Sequence, residues 1–478
     1  MTDMPVLEWP AEELATWDCY DARILARGQL VLATLAAHPS LSIPAACGSP
    51  AATQATYDLC ANPQVNADAL LAAHAAATQA RIAEYRQVLL IADLTEFDYS
   101  RKTVAQELGY IADNKNRGFF FLPLFAVAVS GEVLGLANSQ RYLRELRDGT
   151  SQSRKHQPIT EKETRYILAA YQQACALQAA TPGTRCLFIH DRGGDRYEIY
   201  AEAQQQARPA DFLIRGREYE RCLQQVVQVG GASPTTASQA RARKLNELLR
   251  VTPAIGQLTF TAPATATRAA RPVVQEIRTV TVTLVPPVRT GVKLAPATLQ
   301  VIECREVDPP AGEAPLHWLF YTNLPATTAA EAQWAVARYL QRWDVELYFK
   351  ILKSGCRVEQ LYLQKKARLE TAFALYAIVA WRIFALVRLG RASPDLPCTL
   401  LLSSEEWQVL VGHFTGRVPS QPPTLQEAVR LLGRLGGNLG RRGDGEPGIQ
   451  SLWIGLGRLH DMVLGARTGT ALRARAAG

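Results

Sequence analysis

Two textures alternate along the chain. Apolar residues recur at helical spacing through an alanine-rich stretch over residues 11–82, and the period breaks near "HPSLSIP" and "CANPQVN", where Pro, Asn and Ser supply turns. A small domain of short helices is predicted there. From "RQVLLIADLTEF" onward, short continuous apolar runs replace that period, and the first of them ends at Asp93. "RGFFFLPLFAVAVSGEVLGLANSQ" reads as two strands meeting in a hairpin at Ser130 and Gly131. A helix is predicted over "PITEKETRYILAAYQQACALQAA", with Thr160 and Glu163 spaced as a capping box. After it, "RCLFIHDRGGD" gives another buried strand that ends in an acid.

Between about 216 and 316 the chain is rich in Thr, Val and Pro, with no long helical period after "ASQARARKLNELL", which predicts an inserted β-rich subdomain forming its own strand layer. After "HWLFYTNLP" the helical pattern returns and holds to about 390; short helices between the loops "SPDLP", "VPSQPP" and "GGNLGRRGDGEPG" follow. No internal repeat recurs at solenoid periods. The expected architecture is α/β: a mixed sheet with helices over residues 71–390, flanked by helical domains over residues 1–70 and 391–478.

Length and composition fit this picture. A chain of 478 residues has room for about three domains, and 48% apolar with 20% charged residues is ordinary globular composition. The net charge of +8 is compatible with a polyanionic partner without requiring one. Nine scattered cysteines form no C-x-x-C pair, which points to reduced, structural thiols. The acidic start "MTDMPVLEWPAEELATWD" carries no basic segment followed by an apolar core, and the longest apolar run, "TAFALYAIVAWRIFALVRL", contains Arg382 and Arg388. A cytoplasmic protein with no membrane span is expected.

The segment "ARYLQRWDVELYFKILKSG", residues 337–355, has the length of a helix but an unusual load of polar groups. At about 100° per residue, Arg342, Glu346 and Lys353 lie at about 300°, 340° and 320° relative to Tyr339, so the four share one narrow face, and Lys350 at about 20° widens it slightly. On its own this describes a solvated face with an i,i+4 Arg342–Glu346 pair. Two further acids, Asp93 and Asp191, each follow an apolar strand, where side chains converge at a sheet's carboxyl end. Three carboxylates brought together need a cation, and a hard oxygen-binding ion such as Mg²⁺ supplies it while activating water at a phosphodiester.

With these residues in view, the chain resembles the bacterial cut-and-paste DDE transposases of the insertion-sequence-four group, and within it the transposase of transposon five. The signature Y-x2-R-x3-E-x6-K stands here as Tyr339, Arg342, Glu346 and Lys353. "DLTEFDYS", "DRGGD", "VDPPAGEAPLHWLFYTNLP" and "RLGGNLG…GIQSLWIGLGRL" extend the match over nearly the whole chain in order. The resemblance implies a ribonuclease-H-like core with Asp93, Asp191 and Glu346 as catalytic metal ligands, holding two Mg²⁺ ions for which Mn²⁺ substitutes. It implies that Tyr339, Arg342 and Lys353 grip phosphates near the cut, where Lys350 on the same face would join them, and that Trp318, 21 residues before Tyr339, stacks on a flipped base. Arg192 and Arg215 correspond to positions near the DNA backbone, and Arg23 and Arg27 to a basic helix of the end-recognition domain. Double-stranded DNA, as end repeats and as target, is the implied partner, bound by a homodimer joined through the C-terminal helices. A DNA-binding regulator that has lost catalysis is the rival reading.

Against that family this chain departs in two places: Gly193-Gly194 replaces Glu-Ala after the second acid, which predicts a looser loop, and Glu96 and Asp98 add charge near the first. His190 precedes Asp191, but strand alternation predicts that it points to the opposite side of the sheet.

Overall fold

The computed structural model describes residues 8–19, 21–112, 114–145, 156–264, 269–392, 394–400, 402–441 and 445–476. Five helices open the chain: α1 (Glu8–Glu13), α2 (Ala22–Ala37), α3 (Ile43–Cys47), α4 (Pro50–Ala61) and α5 (Ala67–Ala83). Local chemistry sets their starts, since the side chains of Asp21, Ser49 and Asn66 each accept a backbone N–H of the following first turn. Two of the four breaks, α2 to α3 and α4 to α5, fall at the turn clusters in the sequence; those between α1 and α2 and between α3 and α4 do not.

The sheet begins with β1 (Gln87–Ala92), β2 (Thr95–Asp98), β3 (Gly109–Ile111) and the long hairpin of β4 (Asn116–Ala128) and β5 (Val133–Tyr142). It continues through α6 (Arg165–Ala180), β6 (Arg185–His190), α7 (Tyr197–Gln205), β7 (Asp211–Arg215), β8 (Leu223–Val229), α8 (Ala237–Arg241), α9 (Leu245–Arg250), β9 (Gly256–Ala262), β10 (Arg271–Leu284), β11 (Ala297–Glu306) and β12 (His317–Thr322). Strand order is β2-β4-β1-β6-β7-β12-β11-β10-β8, with β3 and β5 also on β4 and β9 also on β10. β6 runs parallel to β1 and to β7; the other pairings are antiparallel.

The β-rich segment therefore does not form a layer of its own, as the sequence had suggested. β12 pairs with both β7 and β11, so the inserted strands lengthen the main sheet. One other expectation changes. α6 starts at Arg165 behind Thr164, with no side-chain cap; Glu163 is instead paired with Arg144, and Thr160 offers only its carbonyl, to Arg165. The "ASQARARKLNELL" stretch is two short helices, α8 and α9.

Helices cover both faces. α6, α7 and α9 seal one apolar cluster, built on Phe188, Phe212, Val280 and Tyr321. The other face carries the N-terminal helices together with α10 (Ala329–Leu340), α11 (Trp343–Lys350) and α12 (Lys366–Ala392). α12 is long and apolar enough to cross a membrane by length and composition, but Leu369, Phe373, Leu375 and Tyr376 are fully buried, and it serves as the central core helix. α13 (Ser404–Thr415), α14 (Leu425–Leu435) and α15 (Ile449–Ala476) enclose a separate cluster including Trp407, Leu432 and Leu459.

Buried polar contacts tie the N-terminal helices down. Glu13 on α1 accepts from His74 Nδ1 at 2.5 Å and from Arg81 at 2.6 Å, while His74 Nε2 takes the Leu136 N–H of β5 at 3.1 Å. Arg81 lies 4.4 Å over the Trp381 ring of α12. At the far end of α2, the His38 ring meets His460 of α15 edge-on, with 3.7 Å between centroids.

Candidate active site

The segment read as one helix over residues 337–355 is three pieces. α10 ends at Leu340, a turn at Gln341 and Arg342 leads into α11, and Ile351–Gly355 is a single π-turn. Both turn residues keep right-handed helical dihedrals, so the chain bends without reversing. The bend turns the polar face inward: Arg342 is 8% exposed, whereas Leu340, Trp343 and Leu347 are 48%, 56% and 36% exposed. Helical periodicity puts Leu340 and Leu347 off the polar face, yet they stand at the rim.

Asp93 and Asp191 come together by strand pairing. In the parallel β1–β6 pair Ala92 stands opposite His190, so the two acids leave neighbouring strands at the same level. Glu346, on α11, is linked to Asp93 through Arg342. Arg342 Nη1 donates to Asp93 Oδ2 at 2.6 Å and Nη2 to Glu346 Oε1 at 2.8 Å, so one guanidinium spans the first and third acids. Among the described residues no three His, Cys, Asp or Glu side chains stand at metal-ligand spacing.

Environment separates the acids. Burial raises the Asp93 carboxyl above its ordinary value and the Asp191 charge adds to this, against pulls from His190 and Arg342. Burial also opposes ionisation of Asp191, but the His190 hydrogen bond and charge, the Gly193 N–H and Arg342 outweigh it and bring that carboxyl down to about 2. Burial likewise works against the Arg342 charge, and Asp93 and Glu346 more than restore it.

His190 is not on the far side of the sheet. It is 1% exposed, and its Nδ1 donates to Asp191 Oδ1 at 2.8 Å. Alternation fails because Asp191 lies beyond the end of β6, capping the short 3₁₀ turn Arg192–Gly194, and its carboxylate folds back while also accepting the Gly193 N–H at 2.8 Å. The Gly193-Gly194 pair does not loosen this turn. A Cβ on Gly194 would stand 2.7 Å from His190 Cβ and Cγ, so the glycine makes room for the ring. Glu96 and Asp98 are occupied locally: Glu96 accepts the Ala112 N–H at 3.2 Å, and Asp98 the Ser100 N–H at 2.8 Å.

Basic and aromatic groups ring the acids unevenly. Tyr339 is buried against Phe320, which raises its phenol despite Arg342 and Arg215. Arg215 donates to the His317 carbonyl at 2.9 Å and lies 5.5 Å from the Trp318 ring. Trp318 is half-buried, with one face stacked on Phe260 at 5.3 Å. Arg192 and Lys350 are exposed, while Lys353, in the π-turn, sits 5.1 Å over the Phe97 ring. Arg23, paired with Asp21 at 3.0 Å, and Arg27 stand exposed on α2, far along the chain from this cluster.

Acidic side chains at the carboxyl ends of paired strands, backed by an arginine-bearing helix, suit phosphoryl transfer on a nucleic acid. Family comparisons agree. Residues 7–65 match a transposase DNA-binding domain, 149–382 a transposase DDE domain and 378–475 the transposase Tn5 dimerisation domain. The chain is thus a DNA transposase of the DDE class, a class that depends on a divalent metal, and it carries the parts for DNA binding and homodimer formation. Its dimerisation and DNA-binding domains make it a Tn5-like member. The DDE match contains Asp191 and Glu346 but begins after Asp93, which the strand register sets level with Asp191.

Proposed function

We propose that this transposase, of the insertion-sequence-four group, excises its element through a hairpin route and inserts it into target DNA, with Asp93, Asp191 and Glu346 as catalytic metal ligands. The observation that supports the reading is the register of β1 against β6, which sets Asp93 level with Asp191, together with the Arg342 bridge from Asp93 to Glu346.

The donor set suits Mg²⁺, since all three ligands offer carboxylate oxygen, and Mn²⁺ accepts the same donors. Two such ions would lower the pKa of the attacking water and neutralise charge on the scissile phosphate. The side chains do the rest. Tyr339, Arg342, Lys350, Lys353, Arg192 and Arg215 hold the backbone phosphates in line, and Trp318 replaces the stacking lost by a base drawn out of the duplex. Arg23 and Arg27 on α2 engage the end repeat. Water opens the first strand, the released 3′-hydroxyl attacks the opposite strand, and the resolved end then attacks target DNA. Each step is an in-line displacement at phosphorus, so no covalent protein intermediate forms. Pairing through the region from about 391 onward would set two ends in one complex.

Incubation with the element's own terminal repeats and Mg²⁺ tests this. Hairpin-ended and joined products are expected. Binding without cutting would establish a silent regulator, and cutting without joining a simple nuclease. Glu346→Ala should abolish cleavage while end binding persists; parallel loss of both would remove Glu346 from the catalytic set.

A further inference from the structure

We propose that Arg342 is an internal counter-cation that occupies the carboxylates in the metal-free enzyme and must be displaced before a divalent ion can bind. The inference rests on the metal-ligand reading of Asp93 and Glu346, and goes beyond it by giving Arg342 a role before DNA arrives.

Asp93 Oδ1 is already engaged by the Leu94 N–H at 2.9 Å, so Oδ2, the oxygen on which Arg342 closes at 2.6 Å, is the one left for a cation. The same guanidinium takes Glu346 Oε1 at 2.8 Å. A divalent ion held by these two carboxylates would compete with the guanidinium for the same lone pairs, and the two cations would repel one another in a half-dry site.

Arg342 is also placed to move. It sits in the turn between α10 and α11, its Nε is buried with no hydrogen-bond partner among the described residues, and its guanidinium lies 4.9 Å over the exposed Trp343 ring. An outward rotation past Trp343 trades two carboxylates for solvent or a DNA phosphate, which a guanidinium binds equally well. Metal and phosphate then cooperate. A phosphate holding Arg342 outward clears the carboxylates, and an ion on the carboxylates releases Arg342 to the phosphate, with equal coupling in each direction. The enzyme would load metal weakly until DNA is in place.

Mn²⁺ binding, followed by the electron paramagnetic resonance of free Mn²⁺ without DNA, tests the idea on the full chain. A closed state outweighing the open one about tenfold lowers apparent affinity by the same factor, so Arg342→Gln should bind Mn²⁺ about tenfold more tightly than wild type. Arg342→Lys, a point charge unable to bridge both acids, should fall between them. Adding Asp93→Asn to Arg342→Gln should abolish the gain, which locates the ion. A duplex bearing the terminal repeat should raise wild-type affinity more than that of Arg342→Gln. Equal or weaker Mn²⁺ binding by Arg342→Gln, with binding still dependent on Asp93, would overturn the counter-cation role and leave the metal site standing. Mn²⁺ binding indifferent to Asp93 would overturn both.

Discussion

Replacing Gly194 by Ala tests how closely the second acid is held. Gly194 has no left-handed φ, so alanine meets no backbone penalty and the whole cost is steric. Its Cβ would come to 2.7 Å from both Cβ and Cγ of His190, and 3.0 Å from Nδ1. That is about 0.8 Å inside the shortest comfortable carbon contact. Rotating the imidazole does not help, because His190 Cβ is fixed by the backbone; either the end of β6 or the 3₁₀ turn must shift. Overpacking of this kind costs about 1–3 kcal/mol. The shift also carries Asp191, whose carboxylate is held by His190 and by Gly193 within the same turn. Gly194→Ala should therefore lower the denaturant midpoint, speed hydrogen exchange across residues 188–196 and reduce end cleavage. His190→Gly, which removes the fixed Cβ, should restore part of the lost stability in the double variant, and His190→Ala should not. A wild-type midpoint and exchange rate for Gly194→Ala, or full rescue by His190→Ala, would refute the packing argument.

Three other outcomes are expected. Glu13→Ala strands His74 and Arg81 without their carboxylate; since Arg81 is partly solvated, the loss should lie near the low end for a broken buried pair, about 3 kcal/mol in urea unfolding. Acid should destabilise the protein from pH 6.5 downward: His38 is depressed to about 4 by burial and by His460, and burial also depresses His74 and His460, so below 6.5 the unfolded chain takes up protons that the folded chain refuses. The charged groups facing the His38–His460 pair are Asp461, Glu406 and Arg467, and His38→Gln should flatten the fall between pH 6.5 and about 4 in a melting-temperature series. The Glu13 carboxyl, opposed by burial but lowered below 4.5 by His74 and Arg81, contributes stability present above 4.5 and lost as pH falls through its folded value, so Glu13→Gln should remove that lower limb.

Much of this architecture was readable in the residues, and the misses share a cause. Turn chemistry located the helix breaks at "HPSLSIP" and "CANPQVN", and Ser130-Gly131 marked the hairpin, because these are local signals. Strand partners are not local. Nothing in the Thr- and Val-rich segment says whether it pairs with β7 through β12 or folds on itself, so its place in the main sheet was missed. His190 shows the same limit at the scale of one residue. Alternation holds inside β6 and ends with it, and only the turn at Asp191–Gly194 reveals that ring and carboxylate meet.

The polar load of the α10–α11 segment has a physical explanation that periodicity alone could not supply. A solvated polar face would leave Arg342 exposed and the flanking Leu340 and Leu347 covered; around the bend at Gln341 and Arg342 the reverse holds, with Arg342 under cover and Leu340, Trp343 and Leu347 at the rim. Burying a guanidinium in this way is unfavourable unless carboxylates meet it, and Asp93 and Glu346 do so. Those two acids are equally unfavourable without a cation. The arginine and the acids therefore justify one another only as a set, closed on itself here, and the proposed opening would exchange that arrangement for a metal ion on the acids and a phosphate on the arginine. A helix built merely to pack would have needed neither.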